Sequence, residues 1–224
     1  MQYPSTWLTG SSLGESIAAE LRLRIINGTL KPGEVLSENR IAGDFGTSRS
    51  PVREALKTLS GEGLITLQRM GAVVNGLSLN DVKELYDVRY LIESFAWKHL
   101  AAHPEELIAP LAQSIDKMEL AGKHLDVVEF AYQDICFHEI IINGAKHTRI
   151  LHLWTSIRQI VMTVMLVTTQ NILSQNEDKI SYVVDKHRKL LQGLESRDSE
   201  VIQRNVEEYF SDSFETLHSS MPHE

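Results

Sequence analysis

Three groups of side chains in this sequence have types and spacings that could do chemistry. In TSRSPVREALKTLSGEGL, Arg49, Arg53 and Lys57 stand at i, i+4 and i+8, which on a helix sets three cations along one edge. Arginine's planar fork matches paired acceptors on guanine, and lysine more often meets phosphate, so this edge suits duplex DNA. Arg49 and Arg53 are then assigned to bases or adjacent phosphates. The plain alternative is the solvated side of a surface helix. In FAYQDICFHEIIIN, Asp134 and His138 lie four apart on one helix face, and His187 in VVDKHRKLL can join them from a second helix. Such a set can ligate zinc or a similar divalent metal, and equally an Asp/His pair at this spacing can be a surface hydrogen bond. Arg89, in DVRYLIE, is either paired with Glu93 four residues on or a bidentate clamp for a small carboxylate. Arg158, inside the apolar run TSIRQIVMTVML, is a second candidate for that clamp.

The elements that must carry these residues can be read from periodicity. Leu13, Ile17, Leu21 and Ile25 recur every fourth position, the stripe of an amphipathic helix that Gly28 ends. After the turn at Pro32-Gly33, Ser37 caps a short helix with Ile41 and Phe45 on one face, closed by Gly46. Ser50 caps the next helix, with Pro51 in its first turn and Val52, Leu56 and Leu59 facing inward. LITLQ then alternates, turns at Met70-Gly71 and resumes with Ala72, Val73 and Val74, predicting a two-stranded wing whose tip, with Arg69 and Gly71, can lie along a minor groove. Beyond Gly76 the pattern is helical throughout: Ser78 opens a helix with Leu85, Val88, Ile92 and Phe95 inward, followed by segments near 104–123, 125–143, 147–173, 177–195 and 198–217. The fold class expected is mainly α. A winged helix-turn-helix occupies 1–76 and an all-α helical bundle 77–224.

Composition agrees with this division. The net charge of −8 is unevenly spread: residues 1–76 hold 8 Lys/Arg against 7 Asp/Glu, the remainder 14 against 23, so only the first part can approach phosphate without strong repulsion. A single cysteine, Cys136, leaves no intrachain disulfide and no multi-cysteine zinc site. The N-terminus lacks the pattern of a secretory signal, and the apolar stretch Ile157 to Val167 falls short of the roughly 20 residues of a membrane span, so a cytoplasmic protein with a buried core helix is expected. The main alternative, a metal-dependent enzyme using Asp134, His138 and His187, finds no acid/base glutamate motif, phosphate loop or nucleophile elbow to support it.

The run LSENRIAGDFGTSRSPVREALKTLSGEGLITLQRMGAVV resembles the DNA-binding domain of GntR-family regulators. The resemblance implies operator contacts from Arg49, Ser50, Arg53 and Gly71, with Ser48 beside them. Asn39 stands where the family often has a basic residue, with Arg40 following. From YDVRYLIESFA through the D-x-x-x-H helix to His187, the remainder is similar to the FadR-type effector domain of one branch of that family. In that branch Asp and three His usually surround a metal above which a carboxylate effector binds; the last His position is Tyr209 here. A phenol seldom ligates zinc, so Asp134, His138, His187 and Tyr209 could instead hydrogen-bond a polyhydroxylated ligand directly. The implied function is that of a repressor released from its operator by a sugar acid, gluconate or a relative. One winged domain offers too little surface for strong selectivity, so a homodimer on a palindromic operator is expected, joined through the helical part.

Overall fold

The computed structural model describes residues 1–69, 71–175 and 178–220. They fall into two compact units, the first covering Met1–Ser78 and the second beginning at Leu79. In the first, helix α1 (Leu13–Ile26) opens with a capping box: Ser12 Oγ accepts from the Glu15 amide and Glu15 Oε2 from the Ser12 amide. Ile17, Leu21 and Ile25 are buried as expected, whereas Leu13, in the first turn, is about half exposed. The inward stripe also carries a charge. Arg22 is buried and donates twice to Glu62, at 2.7 and 2.6 Å, clasping α1 to the end of α3 (Arg49–Gly61).

Between them lie β1 (Val35–Ser37) and α2 (Glu38–Asp44). Val52, Leu56 and Leu59 of α3 are buried, so Arg53 and Lys57 face solvent. Its cap is Ser48; Ser50, expected there, falls two residues too late and is already helical. Neither Ser37 nor Ser48 makes a side-chain cap bond, so the amides opening α3 are left for another acceptor.

The wing is larger than the sequence predicts. Strands β2 (Ile65–Gln68) and β3 (Gly71–Val74) are joined by β1 in the order β1-β3-β2, all antiparallel, with Leu36 opposite Ala72 and Ser37 opposite Gly71. Three residues are too few for alternation to reveal β1. This third strand corrects the expected role of Gly71, which is buried in the sheet rather than exposed at a tip. A Cβ there would stand 1.9 Å from the Leu36 carbonyl oxygen, at a φ of +151°. The close approach of β1 is therefore by itself enough to require glycine here. Gly71→Ala should cost about 2 kcal/mol or more in thermal unfolding; unchanged stability with lost operator binding would restore the DNA-contact reading. Met70, the other residue of the expected turn, lies outside the described residues.

The second unit is helical: α4 (Leu79–Leu100), α5 (Glu105–Lys123), α6 (Val127–Gly144), α7 (Thr148–Gln175), α8 (Asp178–Ser196) and α9 (Ser199–Ser220). Helix α6 packs on α4, α5 and α7, while α9 packs on α4 and α8. A core of Ile92, Ile135, Ile142, Trp154, Val161 and Met165 joins α4, α6 and α7. The expected inner face of α4 is corrected. Ile92 is buried and Leu85 packs against the core as expected, but Val88 and Phe95 are exposed, at 41% and 39%; the buried positions are Val82, Tyr86, Arg89, Ile92, Glu93, Ala96, Trp97 and Leu100. Two of these inward positions are charged, so apolar spacing alone caught only part of the inner face. Helix α7 is also longer than its apolar stretch suggested: by length and composition Thr148–Leu173 could cross a bilayer, at mean hydropathy 1.5. Half of that segment is buried among its neighbours and Arg158 on it is ion-paired, so we read it as the core helix of the bundle.

Candidate functional site

On the first unit, α2, the turn and α3 carry most of the expected nucleic-acid residues, and Arg69 follows β2 in the wing. Asn39, Arg40, Ser48, Ser50, Arg53, Lys57 and Arg69 are exposed and Arg49 is half-buried. The exception is Gly71. A residue the sequence reading missed, Glu38, accepts from Nε of both Arg49 and Arg53 at 2.9 Å each. Only its position ahead of the turn could have signalled it, since an acidic residue in a basic interface runs against simple charge counting.

On the second unit, Asp134 and His138 from α6, His187 from α8 and Tyr209 from α9 meet in the interior, with Arg89 and Glu93 of α4 behind them. Arg89 Nε donates to Glu93 Oε1 at 2.6 Å, and His138 Nδ1 donates to Glu93 Oε2 at 2.5 Å. His187 Nδ1 donates to the Val183 carbonyl at 2.8 Å. Both Nδ1 partners can only accept, so each neutral ring carries its proton at Nδ1 and a lone pair at Nε2. The two Nε2 atoms are 3.3 Å apart, and Asp134 Oδ1 lies 3.1 Å from that of His187 and 3.3 Å from that of His138. Tyr209 Oη is 2.8 Å from His138 Nε2 and 3.4 Å from His187 Nε2.

Two imidazole lone pairs thus face a single phenolic proton, with the Asp134 carboxylate beside them, and the cluster is short of positive charge. An added proton on His187 is disfavoured, because burial pushes its pKa down despite Asp134 beside it. Two imidazoles and a carboxylate, with ligand atoms all within 4.8 Å of one another, fit a divalent ion. Glu93 and Val183 fix the ring orientations as the outer partners of such a site do.

Beside the cluster is a cavity of about 50 Å³ lined by Tyr86, Arg89, Asp134, Thr168, Lys186, Tyr209 and Ser213, among others. Arg89 Nη2 and Thr168 Oγ1 are buried without a hydrogen-bond partner. An unmet buried polar group costs about 1–3 kcal/mol, so two on one cavity point to an absent acceptor-bearing molecule. Lys186, another residue the sequence reading missed, donates to Ser213 Oγ at 3.1 Å and lies over the Tyr209 ring. Burial pushes its pKa down to about 8. Thr168 and Lys186 were hidden for opposite reasons, one as a small residue in an apolar run and the other as a lysine on a helix rich in charges. Arg158 is the correction here: it is held by Glu139 through Nε and Nη2, at 2.5 and 3.0 Å, and is not among the residues lining the cavity. Its clamp is occupied by the protein itself.

A winged helix-turn-helix followed by a helical unit with a polar interior cavity defines the class of two-part, DNA-binding transcriptional regulators. The family model described as bacterial regulatory proteins, gntR family, matches residues 13–74, and that of the FCD domain matches residues 84–212. This chain belongs to the gntR family and carries an FCD domain; it is a regulator, and the enzyme alternative falls. It is 36% identical over 211 residues to the gluconate operon transcriptional repressor of Bacillus licheniformis, spanning 94% of this chain and 87% of that protein. The repressor of the same name from Bacillus subtilis (strain 168) is 37% identical over the same shares. Among solved structures, that of E. coli McbR/YncC superposes with a TM-score of 0.70 at 20% identity, covering 93% of this chain and 98% of the other, a likeness of fold.

Proposed function

We propose that this protein is a homodimeric cytoplasmic repressor of a sugar-acid operon, bound to a palindromic operator and released by gluconate or a related acid. The observation that carries the effector reading is Arg89 Nη2, a buried guanidinium donor with no acceptor, facing the same cavity as a cluster short of positive charge. The effector carboxylate accepts from Arg89, and its hydroxyls engage Tyr209, Thr168 and Lys186. Asp134, His138 and His187 would hold a divalent ion, whose charge would strengthen the hold on the carboxylate. Tyr209, in place of a fourth imidazole, is left to serve the ligand. The names of the two Bacillus repressors support gluconate as the acid.

The acid binds against residues of α7, α8 and α9 that line the cavity, and a shift of these helices on binding is the signal. A dimer through the helical unit is supported by Val88, Leu91 and Phe95, an exposed apolar stripe along α4 at 41%, 67% and 39%. A changed dimer geometry takes the two recognition helices off their half-site spacing. The test is an operator shift assay with gluconate titrated to millimolar levels, before and after chelation. Gluconate should release the operator, chelation should blunt the release, and added zinc should restore it. Operator affinity constant across the whole titration would overturn the effector assignment; release that survives chelation would overturn the ion's part in it.

A further inference from the structure

We infer that Glu38 is a positioning residue for operator recognition: its carboxylate holds Arg49 and Arg53 by their inner nitrogens, so that both guanidinium edges are offered to DNA together. The inference rests on the reading that these two arginines contact the operator. Glu38 opens α2, is 7% exposed, and uses one oxygen, Oε2, to accept from both Nε atoms at 2.9 Å. The arginine side chains themselves remain open, at 42% and 58% exposure. Among the described residues neither guanidinium has a second protein acceptor, so the Nη edges are left over. A guanidinium tied at Nε has a fixed plane and presents the two-nitrogen fork that pairs with guanine O6 and N7.

Without that tie, two cations four residues apart on one helix repel each other and sample many rotamers, and the order lost must be restored on binding. Burial opposes charge on Glu38, but the hydrogen bonds and charges of Arg49 and Arg53 hold its carboxyl below the usual range, so the tie is ionic under ordinary conditions. The simple electrostatic expectation has the opposite sign. A carboxylate near phosphates opposes binding, and its removal should tighten association with any duplex.

The opposed signs make the test. Full-length Glu38→Ala and Glu38→Gln are titrated against an operator selected from random duplexes and against a duplex of scrambled sequence, with thermal unfolding run on each protein. We expect Glu38→Ala to weaken operator binding about tenfold or more while scrambled DNA is bound as well as before or better. Glu38→Gln, which keeps an acceptor of the same reach, should fall between the two. Equal weakening on both duplexes would mean a fold defect and overturn the inference, as would a Glu38→Ala protein that binds the operator as tightly as the parent or more so. Arg49→Ala/Arg53→Ala is measured alongside. If it keeps operator binding, the underlying DNA reading fails; if it loses binding and Glu38→Ala does not, only the positioning role fails.

Discussion

Replacing Arg49 and Arg53 together by alanine is expected to weaken operator binding by about a hundredfold or more while leaving the chain folded. Each guanidinium that pairs with a base is worth about 1–3 kcal/mol of discrimination, and a symmetric dimer loses each contact twice. Neither side chain is a packing element: both are substantially exposed, and α3 is held by Val52, Leu56 and Leu59 on its other side. Exposed ion pairs contribute at most about 1 kcal/mol, so the melting temperature should move by only a few degrees. Mobility shift against a selected operator, paired with thermal unfolding, checks both halves. Retention of selective binding by a folded double variant would remove the basis for assigning this edge of α3 to operator DNA.

The second large effect concerns stability. Arg89 and Glu93 are 1% and 0% exposed and joined at 2.6 Å, deep between α4, α7 and α9. Arg89→Met fills similar space but leaves the Glu93 carboxylate buried with only the His138 Nδ1–H to meet it. Breaking a buried pair from one side costs about 3–5 kcal/mol, which in a chain of this size lowers the melting temperature by roughly 6–20 °C. Arg89→Met/Glu93→Gln removes the stranded charge and should recover most of the loss. On the proposed effector reading, in which Arg89 holds the acid's carboxylate, neither variant should answer gluconate. A single variant that melts with the parent would show that Glu93 does not depend on Arg89.

What could be read from residues alone follows from which forces act locally. The helices of the second unit sit within three residues of their expected ranges, because stripes such as Phe130, Ile141 and Ile142 on α6 reflect one-dimensional burial. The grouping of Asp134, His138, His187 and Tyr209 came from family resemblance and an i, i+4 spacing, and the structure brings the four within hydrogen-bond range. What escaped is what depends on partners distant in sequence. β1 exists because β3, more than thirty residues later, supplies its ladder. The inner face of α4 escaped because Glu93 is an inward charge made tolerable by His138, 45 residues away. Arg158 appeared as available as Arg89 until Glu139, on another helix, was found to occupy it.

The chain from Glu93 to His138 sets a boundary for redesign. Anyone retuning this protein into a biosensor for a different acid would have to leave that inner scaffold untouched, since every change there is charged against folding. The rim offers more freedom: Thr168 and Lys186 line the cavity, and among the described residues neither belongs to a buried ion pair. Selectivity could then be bred at two positions on α7 and α8, with the switch itself inherited intact.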